Sequence, residues 1–331
     1  MKNFAYGRVS SIAEAVNQAS GDRSAVYIAG GTNLVDRLKA FLDEPTQLLD
    51  ISRLAMQSIE PTPAGGFRIG ALVTNTDLAN HAEVRRQYPM LSRAILSGAS
   101  QQIRNMATVG GNLMQRTRCH YYYDAAFACN KRQPDTGCPA INGINRTHAI
   151  LGASESCVAV NPSDMSVALA ALEASVEVQG EQDRREIPLV DFHRLPGDTP
   201  DRDTNLEPGE LITAVSLPPL AFAQSGVYLK LRDRASYAFA LVSVAAALEL
   251  SGDQIRNARI ALGGVAPKPW RASEAEAFLQ GRAANQSTLE QAADIALQDA
   301  QPLSHNGFKV DLARRAIRRA LAVSARGGGI A

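Results

Sequence analysis

Apolar and polar positions alternate in short blocks along the chain, and glycine, proline or serine punctuates most of the blocks. Ser10 or Ser11 can cap a helix over Ile12 to Ala19, and the apolar run Ala25 to Ala29 reads as a strand that ends on the breaker pair Gly30-Gly31. A second helix is expected from Asn33 to Leu42, with its amino end against those glycines, and LLDIS after Pro45 is the next strand. Pro61, Pro63, Gly65 and Gly66 mark a linker, which gives a first unit over residues 1–60.

A second unit, residues 61–220, opens with the strand FRIGALV and continues through helices at Thr76–His81 and Pro89–Ser97. A long polar stretch from Arg116 to Asn145 interrupts it, with little hydrophobic period; loops of that length in compact domains are usually functional or disordered. Pro162, Ser163 and Asp164 then lead into MSVALAALEA, a capped helix packed on both sides, and VEVQG with REIPL forms a hairpin. After Pro218-Pro219 comes a third unit, residues 221–331. Its strand-like runs GVYLKLR, FALVSVAAALEL and RIALGGVA precede helices at Ala272–Gln280, Leu289–Asp299 and Leu312–Ser324, an α+β order. The tail ARGGGIA reads as disordered.

Composition narrows the function. The 331 residues exceed any minimal binding module, and 34 Lys+Arg against 33 Asp+Glu leaves a net charge of +1, unlike the basic excess of a nucleic-acid surface. No apolar run reaches the length of a membrane span, and the start MKNFAYGRVSSIAEAVNQA lacks the design of a signal peptide, so no nucleic-acid partner and no membrane insertion are expected.

Two glycine loops carry candidate chemistry. IAGGTNL, residues 28–34, sets two glycines and two small polar residues between a strand and a helix, a turn that lets backbone N–H groups face an anion. It matches neither the Rossmann nor the Walker A pattern, and alone it is equally a tight turn. ATVGGNL, residues 107–113, repeats the chemistry, and two such loops in separate units suit a diphosphate and hence a dinucleotide.

All four cysteines, Cys119, Cys129, Cys138 and Cys157, fall in one segment, separated by nine, eight and eighteen residues. Structural zinc favours close ligand pairs, which are missing, and a large core has little need of disulfides. Four thiolates match the ligand count of an iron–sulfur cluster; free thiols remain the plain alternative. Arg116, Arg118, Lys131, Arg132 and Arg146 would offset the charge of such a cluster, and Tyr121, Tyr122 and Tyr123 could shield it.

The two loops, with KLRDRASYAFALVSVAAAL and ALGGVAPKPWRA further on, resemble the FAD-binding medium subunits of the molybdenum hydroxylases over essentially the whole chain. The separation of Asn112 from Pro162 is an insertion relative to most of that family. Its run RTRCHYYYDAAFACNKR is most similar to the flavin subunits of three-subunit bacterial aldehyde oxidoreductases; hydroxybenzoyl-CoA reductases also carry an inserted cluster loop. The resemblance implies an α+β protein: a two-part FAD-binding domain of the PCMH/VAO type, then a carboxy-terminal domain with a three-stranded antiparallel sheet and a helical bundle. It implies that Val26, Tyr27, Ile28, Ala29, Gly30, Gly31, Thr32, Asn33 and Leu34, with Thr108, Gly111 and Asn112, bind the FAD diphosphate. Asp164 would bond the nucleotide portion or else cap its helix, Ile212 would line the adenine or ring pocket, and Lys230 would approach the flavin. The four cysteines would ligate a 4Fe-4S cluster within the insertion, 114–160.

The expected role is electron transfer. A large subunit with molybdenum cofactor would oxidise an aldehyde to a carboxylate, a small 2Fe-2S subunit would pass the electrons to this FAD, and an external acceptor would take them. No catalytic residue is expected here, and His120, His148 and His193 read as structural or solvated. The resemblance also implies a periplasmic heterotrimer exported on a partner's twin-arginine signal, with a cytoplasmic complex as the alternative. A self-sufficient flavoprotein oxidase and a zinc-stapled scaffold are the rival readings.

Overall fold

The computed structural model describes residues 1–328, and Gly329 to Ala331 lie outside the described residues. The first unit is a three-stranded parallel sheet of β1 (Ala5–Arg8), β2 (Ala25–Ile28) and β3 (Gln47–Asp50), in the order β1-β3-β2. Helix Ile12–Gly21, capped by Ser11, buries Ala15, Val16 and Ala19 beneath it. The second predicted helix is shorter than expected, Leu34–Lys39, and closes at Phe41, whose φ of 55° ends the helical run.

The chain enters a second sheet between Asp50 and Ile59. Its five antiparallel strands, β4 (Ile59–Pro61), β5 (Phe67–Gly70), β6 (Ser175–Gln179), β7 (Arg184–Pro188) and β8 (Leu211–Leu217), run in the order β4-β5-β8-β6-β7, so a strand from the far end of the unit completes its centre. Helix Asp164–Ala171 is apolar all round because it packs on both sides, against helix Pro89–Ser97 and against the third sheet.

That third sheet holds β9 (Val227–Leu231), β10 (Val242–Ser251), β11 (Gln254–Gly263) and a two-residue edge strand, β12 (Trp270–Arg271), in the order β12-β11-β10-β9. The three expected strands therefore gain a fourth, too short to show a period in sequence. Helices Ser273–Leu279, Gln286–Ile295 and Phe308–Ser324 cover it, the last two starting before the expected positions. The described part of the tail, Ala325 to Gly328, is not loose: Arg93 donates to Gly328 O at 2.8 Å, and Gly328 is buried.

The polar stretch is a folded insert despite having only one short helix, His120–Tyr123. Arg132 donates to the carbonyls of Tyr121, Tyr122 and Phe127, and Asn145 bonds Ala140 O and Ser304. Lys309, fully buried on the last helix, donates to Thr147 O at 3.2 Å, His148 O at 2.8 Å and Gly264 O at 2.6 Å, which fixes the end of the insert to the third unit. Side chains thus supply the contacts that no ladder provides.

Candidate functional site

The two glycine loops meet. A Cβ built on Gly30 would lie 1.8 Å from Met106 O, so only glycine lets the first loop reach the backbone that leads into the second. Gly31, at φ 68°, makes the turn into helix Leu34–Lys39. Asn33 Oδ1 accepts from Arg116 N at 3.0 Å, tying the first loop to the start of the insert. In the second loop Thr108 caps the short helix Val109–Leu113 through Gly111 N, and Asn112 Oδ1 accepts from Ser163 Oγ at 2.7 Å.

A cleft of about 610 Å³ opens where the loops, the insert and the third unit converge. Thr32, Asn33, Gly111, Asn112, Asp164 and Lys230 all line it. Val26, Tyr27 and Ile28 instead form β2, where Tyr27 OH donates to Gly209 O at 2.7 Å, and burial raises its pKa. Ala29, Gly30, Gly31 and Leu34 shape the turn behind the lining, and Thr108 is occupied as a cap. Ile212, 5% exposed, sits on β8 in the core of the second unit and does not line the cleft.

The two readings of Asp164 separate cleanly. Ser163 is the cap, its Oγ accepting from Ser166 N at 3.0 Å, which leaves the Asp164 carboxylate free for other partners. Lys230 Nζ donates to it at 2.7 Å and Tyr228 OH at 2.6 Å. The ion pair is almost fully buried, with side chains 9% and 4% exposed. Burial and the adjacent carboxylate push the Tyr228 hydroxyl well above its usual pKa, so Tyr228 stays a donor. Across the mouth of the cleft, Arg118 joins three parts of the chain: it pairs with Asp36, donates to Tyr123 OH at 2.8 Å and stacks on the exposed ring of Phe239.

The four cysteines line one small cavity beside the cleft, with Tyr121, Tyr122, Lys131 and His148 around them. All four are free thiols. Among the described residues no three His, Cys, Asp or Glu side chains close on a single-ion position. Burial pushes Cys119 up to about 12 and Cys157 up to about 11, and raises Cys138. Backbone N–H groups oppose that: Tyr122 and Tyr121 act on the Cys119 sulfur, Val158, Ala140 and Ile141 on Cys138, and Ala159 on Cys157. These donors favour thiolates in an otherwise apolar pocket.

The expected cationic field is largely neutralised. Arg116 and Lys131 share Asp203, at 2.6 Å and 2.5 Å, and together hold its carboxyl below the usual range despite its burial. Arg118 pairs with Asp36, Arg146 binds Asp233 through two contacts of 2.9 Å, and Arg132 is committed to carbonyls. Lys131 alone still acts on a cysteine, favouring the Cys157 thiolate.

Family models match this architecture in two parts: residues 2–220 fit the FAD binding domain in molybdopterin dehydrogenase, and residues 227–323 the CO dehydrogenase flavoprotein C-terminal domain. The chain belongs to this family of FAD-binding subunits. It is 52% identical to the aldehyde oxidoreductase FAD-binding subunit PaoB of Escherichia coli over 97% of this chain and 98% of that one. It is also 30% identical to the glyceraldehyde dehydrogenase medium chain of Sulfolobus acidocaldarius, over 92% and 91% of the two chains. Among solved structures, the carbon monoxide dehydrogenase of Hydrogenophaga pseudoflava aligns with a TM-score of 0.77 at 26% identity, covering 98% of this chain and 97% of that chain.

The cleft of this flavin subunit fits a dinucleotide. It lies in the size range of ligand sites, and its walls carry glycine at Gly98 and Gly111, where a Cβ would come within 3.0 Å of Asp164 Oδ2 and Thr108 Oγ1. Two groups of lining residues carry no site role in the sequence pattern. His148 is buried at the boundary between cleft and cysteine cavity, and the segment Asp233 to Leu241 forms the opposite wall with exposed Tyr237 and Phe239. The similarity of DRASYAFAL to the family was the signal that could have found the second group; a lone histidine in a polar loop gives none.

Proposed function

We propose that the chain is the electron-transfer subunit of a molybdenum-containing aldehyde oxidoreductase and that Cys119, Cys129, Cys138 and Cys157 hold a 4Fe-4S cluster. The near-full-length similarity to an aldehyde oxidoreductase FAD-binding subunit is the observation that carries the aldehyde assignment. The cluster is supported by four free thiols facing one cavity, with backbone donors aimed at three of the sulfurs. A spread of thiols with no single-ion position favours a cluster over structural zinc.

FAD, when bound, accepts electrons singly from iron–sulfur centres and releases them as a pair. The chain's own residues bind and orient. The loop backbones around Thr32 and Gly111 offer N–H groups to the diphosphate. Asn33, Arg116 and Ser163 hold those loops in register, and the buried Asp164–Lys230 pair keeps one wall of the cleft rigid. Arg118 joins the mouth of the cleft to the insert through Tyr123 and Phe239. The partners are a large molybdenum cofactor-binding subunit and a small subunit with 2Fe-2S clusters, in a heterotrimer that reduces an external acceptor. The complex works in the periplasm, exported on the twin-arginine signal of a partner.

The test is an absorption spectrum of the anaerobically purified chain before and after dithionite, with iron and acid-labile sulfide assayed on the same sample. The proposal expects bleachable flavin bands and about four irons and four sulfides per chain. Flavin without iron would overturn the cluster assignment, and a folded, colourless chain would overturn the whole reading.

A further inference from the structure

A second crevice, of about 230 Å³, lies where the start of the insert meets the segment between Phe192 and β8. Five cationic side chains line it: Arg37, Arg116, Lys131, Arg194 and Arg202. Their carboxylate partners are fewer. Arg37 pairs with Asp43, whereas Arg116 and Lys131 share Asp203, so one carboxylate serves two cations whose side chains are only 18% and 9% exposed. Arg194 finds neutral acceptors, Asn205 Oδ1 at 2.9 Å and Thr199 Oγ1 at 3.4 Å. Among the described residues Arg202 donates through its backbone N–H alone, to Thr199 O at 3.2 Å. Asp201 is the other carboxylate of the wall, which leaves five cations against three carboxylates.

That surplus is fixed in place. Lys131 Nζ also donates to Pro200 O at 2.7 Å and Arg116 to Asp201 O at 3.1 Å, so neither can swing out into water. The cysteines do not absorb it, since of the five cations Lys131 alone acts on a thiolate. Cations held together without matching carboxylates repel one another and lose hydration, and an anion seated among them relieves both costs. Guanidinium groups favour an oxyanion, which accepts from two N–H donors at once. Size sets the class of ligand: the crevice has less than half the volume of the cleft and lies below the range of nucleotide-sized sites.

We propose that this crevice binds a small oxyanion, a phosphate or a carboxylate, held by Arg194 and Arg202 on segment 194–204 and by Arg116 and Lys131 on the insert. The ligand ties that segment to the insert and leaves the cleft free for FAD.

The test is isothermal titration of the full chain with its FAD bound, in chloride at fixed ionic strength, with sodium phosphate and sodium benzoate as probes. Saturable binding at one site per chain is expected, with a Tm that rises with the concentration of the probe that binds. Saturation by phosphate alone marks a tetrahedral oxyanion as the ligand, and saturation by benzoate alone a planar carboxylate. In Arg194→Gln and in Arg202→Gln the dissociation constant rises about tenfold or more, the worth of one charge-assisted hydrogen bond. Arg202 is exposed, so Arg202→Gln keeps the test open should Arg194→Gln fail to fold. Neither probe saturating, or a dissociation constant unchanged in Arg202→Gln, overturns the proposal. Binding seen only after the FAD is stripped overturns it equally, because the anion then sits in the cleft.

Discussion

Replacing Lys230 by Met keeps the length of the side chain and removes its charge, which leaves Asp164 buried at the edge of the cleft with Tyr228 as its remaining side-chain partner. Breaking a buried ion pair from one side typically costs about 3–5 kcal/mol, because the other charge stays desolvated. At about 2 cal/mol/K of unfolding entropy per residue, 4 kcal/mol in a chain of 331 residues is a drop of about 6 °C in Tm for cooperative melting. Asp164→Asn should cost a similar amount by stranding the ammonium, which then keeps only Ser97 O, 3.1 Å away. The double variant removes both charges and should recover at least about 2 kcal/mol of the summed losses. The assay is a thermal double-mutant cycle by circular dichroism on the flavin-free chain, so that binding energy does not enter. A Lys230→Met chain melting within about 1 °C of the wild type, or a double variant that simply adds the two losses, would mean that the Asp164–Lys230 pair does not hold this wall together.

Three further outcomes follow from the same geometry. Gly30→Ala places a methyl group against Met106 O and must push the two loops apart, so flavin occupancy should fall at least about tenfold at nearly unchanged secondary structure, measured by absorbance against protein content. Cys129→Ser should lose iron and expose the 116–145 segment to limited proteolysis, while turnover per bound flavin in the surviving complex changes little, as expected of a structural staple; lost turnover in a well-folded, flavin-loaded complex would contradict that. Burial holds His193 near a pKa of about 4 against 6.5 for a free imidazole. The unfolded chain therefore binds the extra proton between those values, and stability falls as the pH drops from 6.5 towards 4, by about 3 kcal/mol at the lower end. Urea midpoints at the two ends, compared with those of His193→Gln, measure this contribution, which the variant should lack.

Local signals in the sequence reached far where chemistry and period coincide. Pro89–Ser97 starts on proline and ends before glycine, and it forms as expected; the all-apolar MSVALAALEA forms the helix packed on both faces. The Gly30-Gly31 turn was legible as a close approach, but that its neighbour is Met106 is tertiary information. The cysteines could be grouped from spacing alone, whereas the pairing of Arg116 and Lys131 with Asp203 depends on a carboxylate more than seventy residues away along the chain. Asp164 shows the limit most clearly. Ser163 and Asp164 are both good caps by residue type, and only the arrival of Lys230 and Tyr228 from the third sheet assigns the cap to Ser163. His148 stayed hidden because a histidine in a polar loop has no local signature; its setting is created by the fold around it.

As an electron-transfer subunit, the chain should not itself oxidise the aldehyde. The decisive assay is anaerobic mixing of an aromatic or aliphatic aldehyde with the flavin-loaded chain, alone and assembled with the proposed molybdenum and 2Fe-2S subunits. Bleaching of the flavin band in the assembled complex only, with the isolated chain unchanged, is the predicted result. Flavin reduction by aldehyde in the isolated chain would instead identify a self-sufficient flavoprotein oxidase.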